Sequence, residues 1–257
     1  MIKAVFFDID GTLVSFRTHC VPDSAVRALK QLRANGIKVF IATGRHRATI
    51  DNLGDLEFDG YVTMNGAYCF SGNDVIWKEP VPRSDIENMV KYQKEVRAFP
   101  VFFLCEDSIF ANFFNDEARE LMELIHFPEP DLAPIDSVTD RDVFQMVSFF
   151  SQCDEKEIMS YLPHCSGARW YPTFSDIVSS GASKSNGIRK VLDYFGFTGR
   201  ESMAFGDGGN DISMLETAGT SVAMGNASDR VKAAADYVTS DVDNDGVANA
   251  LKHFGII

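Results

Sequence analysis

With 257 residues, 45% of them hydrophobic, the chain can bury one large core or two moderate ones, which excludes a disordered or fibrous protein. A formal net charge of -13 argues against nucleic acid or an anionic membrane surface as a partner, so an anionic substrate must be met by local positive charge. The five cysteines, odd in number and without a CxxC pair, argue against a disulfide framework and a zinc site and for a reducing, cytoplasmic compartment, and no apolar stretch or targeting segment points elsewhere.

Strand and helix patterns alternate from the start. Residues 4–7 read as a buried strand, 23–34 as an amphipathic helix with Val26, Leu29 and Leu32 on one face, and 37–42 as a second strand, which makes a βαβ unit. Pro22 stands where a first helical turn tolerates proline, and Gly36 where a helix commonly stops. A further helix is expected after Arg45, then a strand over 61–64 and a hairpin of 68–70 and 75–77 turning at Gly72 and Asn73. The character changes near Pro80 and Pro82. A long helix over 84–96 precedes strands at 101–105 and 109–114, a helix at 116–125, a strand at 144–150, a helix at 155–162 and strands at 169–172 and 176–179. Parallel alternation resumes after Lys184, with helices at 186–195, 212–217 and 229–234 and strands at 203–205 and 221–224. The expectation is an α/β fold: a Rossmann-like parallel-sheet core, discontinuous over 1–82 and 182–257, with an inserted α+β domain over 83–181.

Three strand ends carry polar chemistry. Asp8 and Asp10, two apart on an extended strand, point to one side and bring two carboxylates to one small ligand. Two like charges so placed want a cation, and magnesium with its oxygen ligands suits them. The alternative is an ordinary DG turn at a strand end. Thr43, Gly44 and Arg45 follow the second strand, where an open parallel sheet gathers ligands and a helix start offers N–H groups to anions; Thr43 could equally be a plain N-cap. The run from Gly206 to Asp211 adds Asp207, Asn210 and Asp211 after another apolar strand, and it fits neither nucleotide-binding glycine pattern, although a turn rich in Gly, Asn and Asp is its simpler reading. Lys184 would supply the missing positive charge, unless it is surface. Asp241, Asp243, Asp245 and Gly246 open like a calcium loop, but the twelfth position is Lys252 where a glutamate is needed, so a turn capping the last helix is expected instead.

In order, DIDGT at Asp8, TGR at Thr43, Lys184 and GDGGND at Gly206 resemble the four motifs of the haloacid dehalogenase superfamily of phosphatases, and the long insertion resembles the cap, type IIB, of its Cof-type sugar phosphatases. Asn65 and Gly66 and the stretch 245–250 are similar to that branch as well. The resemblance implies that Asp8 attacks phosphorus to form an aspartyl-phosphate and that Asp10 serves as general acid and base. It implies Mg2+ held by Asp8, the Asp10 carbonyl and Asp207, with Asp211 either in the outer shell or orienting Lys184, and phosphoryl oxygens held by Thr43, Gly44, Lys184 and Asn210. Arg45 is expected at the rim. Asp10 favours phosphoryl transfer over dehalogenation, which needs no acid there. The cap would close over the crevice and set specificity, with Asn65, Trp170, Tyr171 and Asp176 as substrate candidates, although Trp170 and Tyr171 could simply pack the cap core. The substrate implied is a small phosphomonoester, foremost a hexose phosphate. A phosphorylated cofactor such as pyridoxal phosphate or FMN, a phosphomutase, and a receiver-like signalling module are the alternatives, and a monomer or weak homo-oligomer is expected.

Overall fold

The computed structural model describes every residue except His126, and of Trp170 the main chain only. The chain divides into two compact units, one made of Met1–Gly44, Ile50–Trp77 and Ser183–Ile257, the other of Arg45–Thr49 and Lys78–Ala182.

The first unit begins with β1 (Ala4–Phe7), α1 (Asp23–Ala34), β2 (Lys38–Ala42), β3 (Gly60–Thr63), β4 (Tyr68–Ser71) and β5 (Asp74–Lys78). The second contains α2 (Arg83–Glu95), β6 (Val101–Leu104), β7 (Ile109–Ala111), α3 (Asp116–Leu124), β8 (Asp131–Leu132), β9 (Gln145–Ser148), α4 (Glu155–Ser160), β10 (Cys165–Tyr171) and β11 (Phe174–Ser179). The chain then returns to the first unit with α5 (Lys184–Phe195), β12 (Ser202–Gly206), α6 (Ile212–Leu215), β13 (Thr220–Ala223), α7 (Asp229–Lys232), β14 (Tyr237–Val238) and α8 (Gly246–His253).

In the first unit the strands form one 8-stranded sheet in the order β14-β13-β12-β1-β2-β3-β4-β5. Pairing is parallel from β14 to β3 and antiparallel between β3 and β4. Alternate residues feed two cores: Val5 and Phe7 pack with α1 and α8 on one face, Ala4 and Phe6 with α5 and α6 on the other. Burial on both faces is why β1, β2 and β12 read as continuous apolar runs. The order reverses at β1, whose neighbours β2 and β12 lead away in opposite directions, and such a switch point leaves a crevice beyond the strand ends. This is the expected Rossmann-like core.

In the second unit a 6-stranded sheet runs β10-β11-β9-β6-β7-β8, antiparallel except for the β7–β8 pair. Ile86, Met89 and Val90 of α2 and Ile158 of α4 pack on Val101, Phe103, Met146 and Ile177 from one sheet face.

Local chemistry explains where elements differ from expectation. The helix expected after Arg45 is a single turn, Arg47–Thr49. There Ala48 N donates to His46 Nδ1 and the Thr49 hydroxyl donates to the His46 carbonyl, so side chains take up the backbone groups that a helix would use, and Gly54 at φ +58 turns the chain away. The strand expected through residue 64 stops at Thr63, because Met64 and Asn65 both adopt positive φ. The strand expected over 109–114 stops at Ala111, where the Asn112 side chain accepts from Val101 N and Phe113 N. Among the described residues no helix is long and apolar enough to cross a membrane.

Candidate active site

Four loops of the first unit, following β1, β2, β3 and β12, converge with the start of α5. Asp8, the residue after β1, is buried, and its N–H donates to the Phe205 carbonyl at 3.0 Å. Gly11 follows at φ +87, a conformation that favours glycine, and a β-carbon there would overlap Asp207 Oδ2. The Thr12 hydroxyl donates to Asp207 Oδ1 at 2.9 Å. β1 and β12 are adjacent parallel strands, so the residues just past their ends meet.

Thr43 is buried at the end of β2, and Asn65 N donates to its carbonyl at 3.1 Å. Asn65 at φ +53 turns its side chain so that Oδ1 accepts from Asn210 Nδ2 at 2.9 Å. A β-carbon at Gly44 would sit 3.1 Å from Asn65 Nδ2, and one at Gly66 would overlap the Ser183 carbonyl. These contacts bring Thr43, Asn65, Asn210 and the start of α5 together.

Lys184 opens α5 behind the N-cap Ser183, whose side chain accepts from Asn186 N. Its ammonium, from a residue 1% exposed, donates to Asp8 Oδ1 at 2.6 Å and to Asp211 Oδ1 at 2.5 Å. The other oxygen of Asp211 accepts from Asp207 N at 2.9 Å and Gly208 N at 2.8 Å. Asp211 is therefore fully committed to holding Lys184 and the loop. Asp8, Asp207 and Asp211 nevertheless offer carboxylate oxygens within 4.8 Å of one another.

One ammonium faces this cluster of carboxylates, and burial and like charge bear on each acid in it. Burial, and then the charge of Asp211, push the Asp8 carboxyl well above the usual range despite Lys184. Asp207 is pushed up to about 7 by burial and Asp211, with the Thr12 hydrogen bond acting the other way. The charge of Asp10 adds to both shifts. Burial works against the Lys184 ammonium, but Asp211 and Asp8 outweigh it and hold its pKa above the ordinary lysine value. The surplus negative charge and the all-oxygen donor set fit a hard divalent cation.

The remaining candidates belong to the second unit. Arg45, expected at the rim, is buried within the second unit, its guanidinium donating to the Thr49 carbonyl at 2.8 Å and the Ile125 carbonyl at 3.4 Å. A helix that ends after one turn leaves main-chain carbonyls for it to cap. Asp176 is a buried residue of β11 opposite Val147 and Ala168 in that unit, and Tyr171 donates its hydroxyl to Glu120 there. The Trp170 side chain lies outside what is described.

Sequence reasoning assigned no role to Thr12 and passed over Asn226. Asn226 follows β13 and donates from Nδ2 to the Gly11 carbonyl at 2.9 Å and to Asp207 Oδ2 at 3.2 Å. The available signal was its position: a Gly-Asn pair just past a parallel strand, like Asp8, Thr43 and Asp207.

The model of the haloacid dehalogenase-like hydrolases matches residues 5–251. The chain belongs to that family. YkrA of Bacillus subtilis (strain 168), provisionally named as a phosphatase, is 34% identical over 258 residues, covering 99% of this chain and 98% of its own. A second B. subtilis protein, the 5-amino-6-(5-phospho-D-ribitylamino)uracil phosphatase YitU, is 26% identical over 97% of this chain and 96% of its own. Among solved structures, the HAD subclass IIB sugar phosphatase BT4131 superposes with a TM-score of 0.94 at 44% identity, over 99% of this chain and 100% of that one. This haloacid dehalogenase hydrolase is a phosphatase of the Cof type, with the family's core and an inserted cap domain.

Proposed function

We propose that this phosphatase hydrolyses small phosphomonoesters, foremost hexose phosphates, with Mg2+ and through an aspartyl-phosphate on Asp8. The observation that carries the reading is the buried ammonium of Lys184 held by Asp8 and Asp211 together, with Asp207 against the same group. Asp8, the Asp10 carbonyl and Asp207 would hold the ion, which when bound offsets the charge that keeps a carboxylate from a phosphate. Lys184 shields the same charge and fixes the attacking oxygen of Asp8. Thr43, Gly44, Lys184 and Asn210 would take the phosphoryl oxygens, with Asn65 setting Asn210 through their hydrogen bond. Asp10 would protonate the leaving alkoxide and then take the proton of the attacking water, so that one carboxyl serves both halves of the reaction.

The hexose preference rests on similarity to the subclass IIB sugar phosphatase. The likeness to the phosphatase of a phosphoribitylamino-uracil keeps a second reading, a phosphorylated cofactor or its precursor. We assign selectivity to the domain over 83–181, with Asp176 and Trp170 among the residues to test.

Phosphate release from hexose phosphates, pyridoxal phosphate and FMN, measured with and without Mg2+, tests the whole reading. Hexose phosphates should be turned over best and only with the ion, releasing one phosphate per substrate consumed, whereas a mutase would release less. Asp10→Asn should lower kcat by about 10²–10⁴-fold with an unchanged melting temperature. Near-normal turnover in that variant would remove Asp10 from the acid–base role.

A further inference from the structure

Asn226 is exposed, yet its side-chain amide has no rotational freedom left. Both hydrogens of Nδ2 are used, one on the Gly11 carbonyl at 2.9 Å and one on Asp207 Oδ2 at 3.2 Å, while Oδ1 accepts from Val242 N at 3.0 Å. The partners also fix which way round the amide sits: two acceptors face the nitrogen and a donor faces the oxygen. Surface asparagines are ordinarily left to water. Three bonds on this one tie the nucleophile loop, the Asp207 carboxylate and the turn Val242–Asn244 to a single side chain.

The backbone is arranged to put it there. Gly225 follows β13 against the segment leading to that turn: its N–H donates to the Ser240 carbonyl at 3.1 Å, and a β-carbon would overlap Asp241. That approach delivers the next residue to the crevice mouth.

The consequence is clearest at Asp207. Its Oδ1 accepts from Thr12 and its Oδ2 from Asn226, and Gly11 makes room by having no side chain. Asp211, by contrast, spends its oxygens on Lys184 and on main-chain N–H groups. Asp207 is therefore the carboxylate held by two neutral side-chain donors, each leaving a lone pair on its oxygen for another ligand. Neutral donors of this kind orient a metal ligand without competing for the ion's charge.

We infer that Asn226 is a positioning residue for the divalent-ion site, setting the rotamer of Asp207 and the path of the Gly11 carbonyl from a fifth strand end. It acts through Asp207 and touches neither the reacting atoms nor the leaving group. The inference rests on the reading of Asp207 as a metal ligand, which the same experiment examines separately.

Metal-free protein is titrated with Mn2+ and the unbound ion read by electron paramagnetic resonance, with melting curves of the same metal-free samples. Wild type should bind one Mn2+, and Asp207→Asn should abolish that binding. Asn226→Ala should then weaken binding by about 10–100-fold, the usual cost of losing a group behind a metal ligand. Its metal-free melting temperature should stay close to wild type, since no buried apolar side chain is disturbed. In phosphatase assays, the loss should be recovered as Mn2+ is raised to saturation. Mn2+ affinity in Asn226→Ala within about twofold of wild type overturns the inference. A large fall in metal-free melting temperature without a change in affinity does so too, because it assigns Asn226 to anchoring Val242 alone. If wild type fails to bind Mn2+, or Asp207→Asn binds it normally, the metal reading falls and the inference falls with it.

Discussion

In the eight-stranded unit the buried charges are gathered together: Asp8, Lys184 and Asp211 sit beyond the strand ends and satisfy one another directly. In the six-stranded unit Asp85 shows a different arrangement. This first-turn acid of α2 accepts from His164 N at 2.9 Å and pairs with the His164 ring at 2.9 Å, so its partners are one histidine's main chain and side chain. Ser148 and Ser175, directly opposite on β9 and β11, bury hydroxyls that have no hydrogen-bond partner. A lone satisfied carboxylate secures an element, and a stray hydroxyl costs little. Like charges crowded around one ammonium cost stability in the resting protein, and a fold keeps such an arrangement where its chemistry uses it.

The comparison can be broken first at Lys184. Lys184→Met would remove turnover and leave Asp8 and Asp211 buried without a counter-charge, at a cost of about 3–5 kcal/mol in urea unfolding of the metal-free protein. A loss under 1 kcal/mol would mean that the cluster is hydrated and ordinary. Asp85→Ala should cost about 1–3 kcal/mol, because it strips partners from His164, with turnover unchanged wherever the variant is folded. This effect carries a pH signature. Burial opposes the charged form of Asp85, but hydrogen bonds from the His164 side chain, the His164 main chain and the Cys165 thiol prevail and hold its carboxyl below the usual range. A carboxyl lowered by folding contributes stability in full above the ordinary carboxylate pKa and loses it as pH falls through the lowered value. The gap between wild type and Asp85→Ala, followed by urea midpoint, should therefore be constant near neutrality and narrow on acidification. The smallest effect belongs to Ser148→Ala, which removes a hydroxyl without a partner and should leave the urea midpoint unchanged or raise stability by at most about 1 kcal/mol.

The same contrast governs what the sequence disclosed. Asp8, Thr43, Lys184 and Asp207 could be read because a parallel sheet places its strand ends side by side, and polar residues after apolar runs mark those ends. Asn226 obeys the same rule, but a Gly-Asn pair is also the commonest currency of turns, and nothing in the residues says that its amide reaches back to Gly11. The missing helix after Arg45 has a similar cause. Its apolar spacing suits a helix, and only the three-dimensional placement of His46, with Nε2 against the Cys105 and Glu106 carbonyls, shows that the segment is tied to the turn between β6 and β7 instead. The two-residue strands β8 and β14 are too short to leave any periodic trace.

Gly66 shows how far a functional constraint can lie from a functional group. The Ser183 main chain passes so near its α-carbon that even a methyl group would be forced into that carbonyl, and the residue after Ser183 carries the buried ammonium. Replacing Gly66 with alanine would displace the charge without altering any polar atom of the crevice. A survey of inactivating substitutions would then flag Gly66 beside the acids and the lysine, although its contribution is empty space and a backbone at φ +93 rather than a functional group.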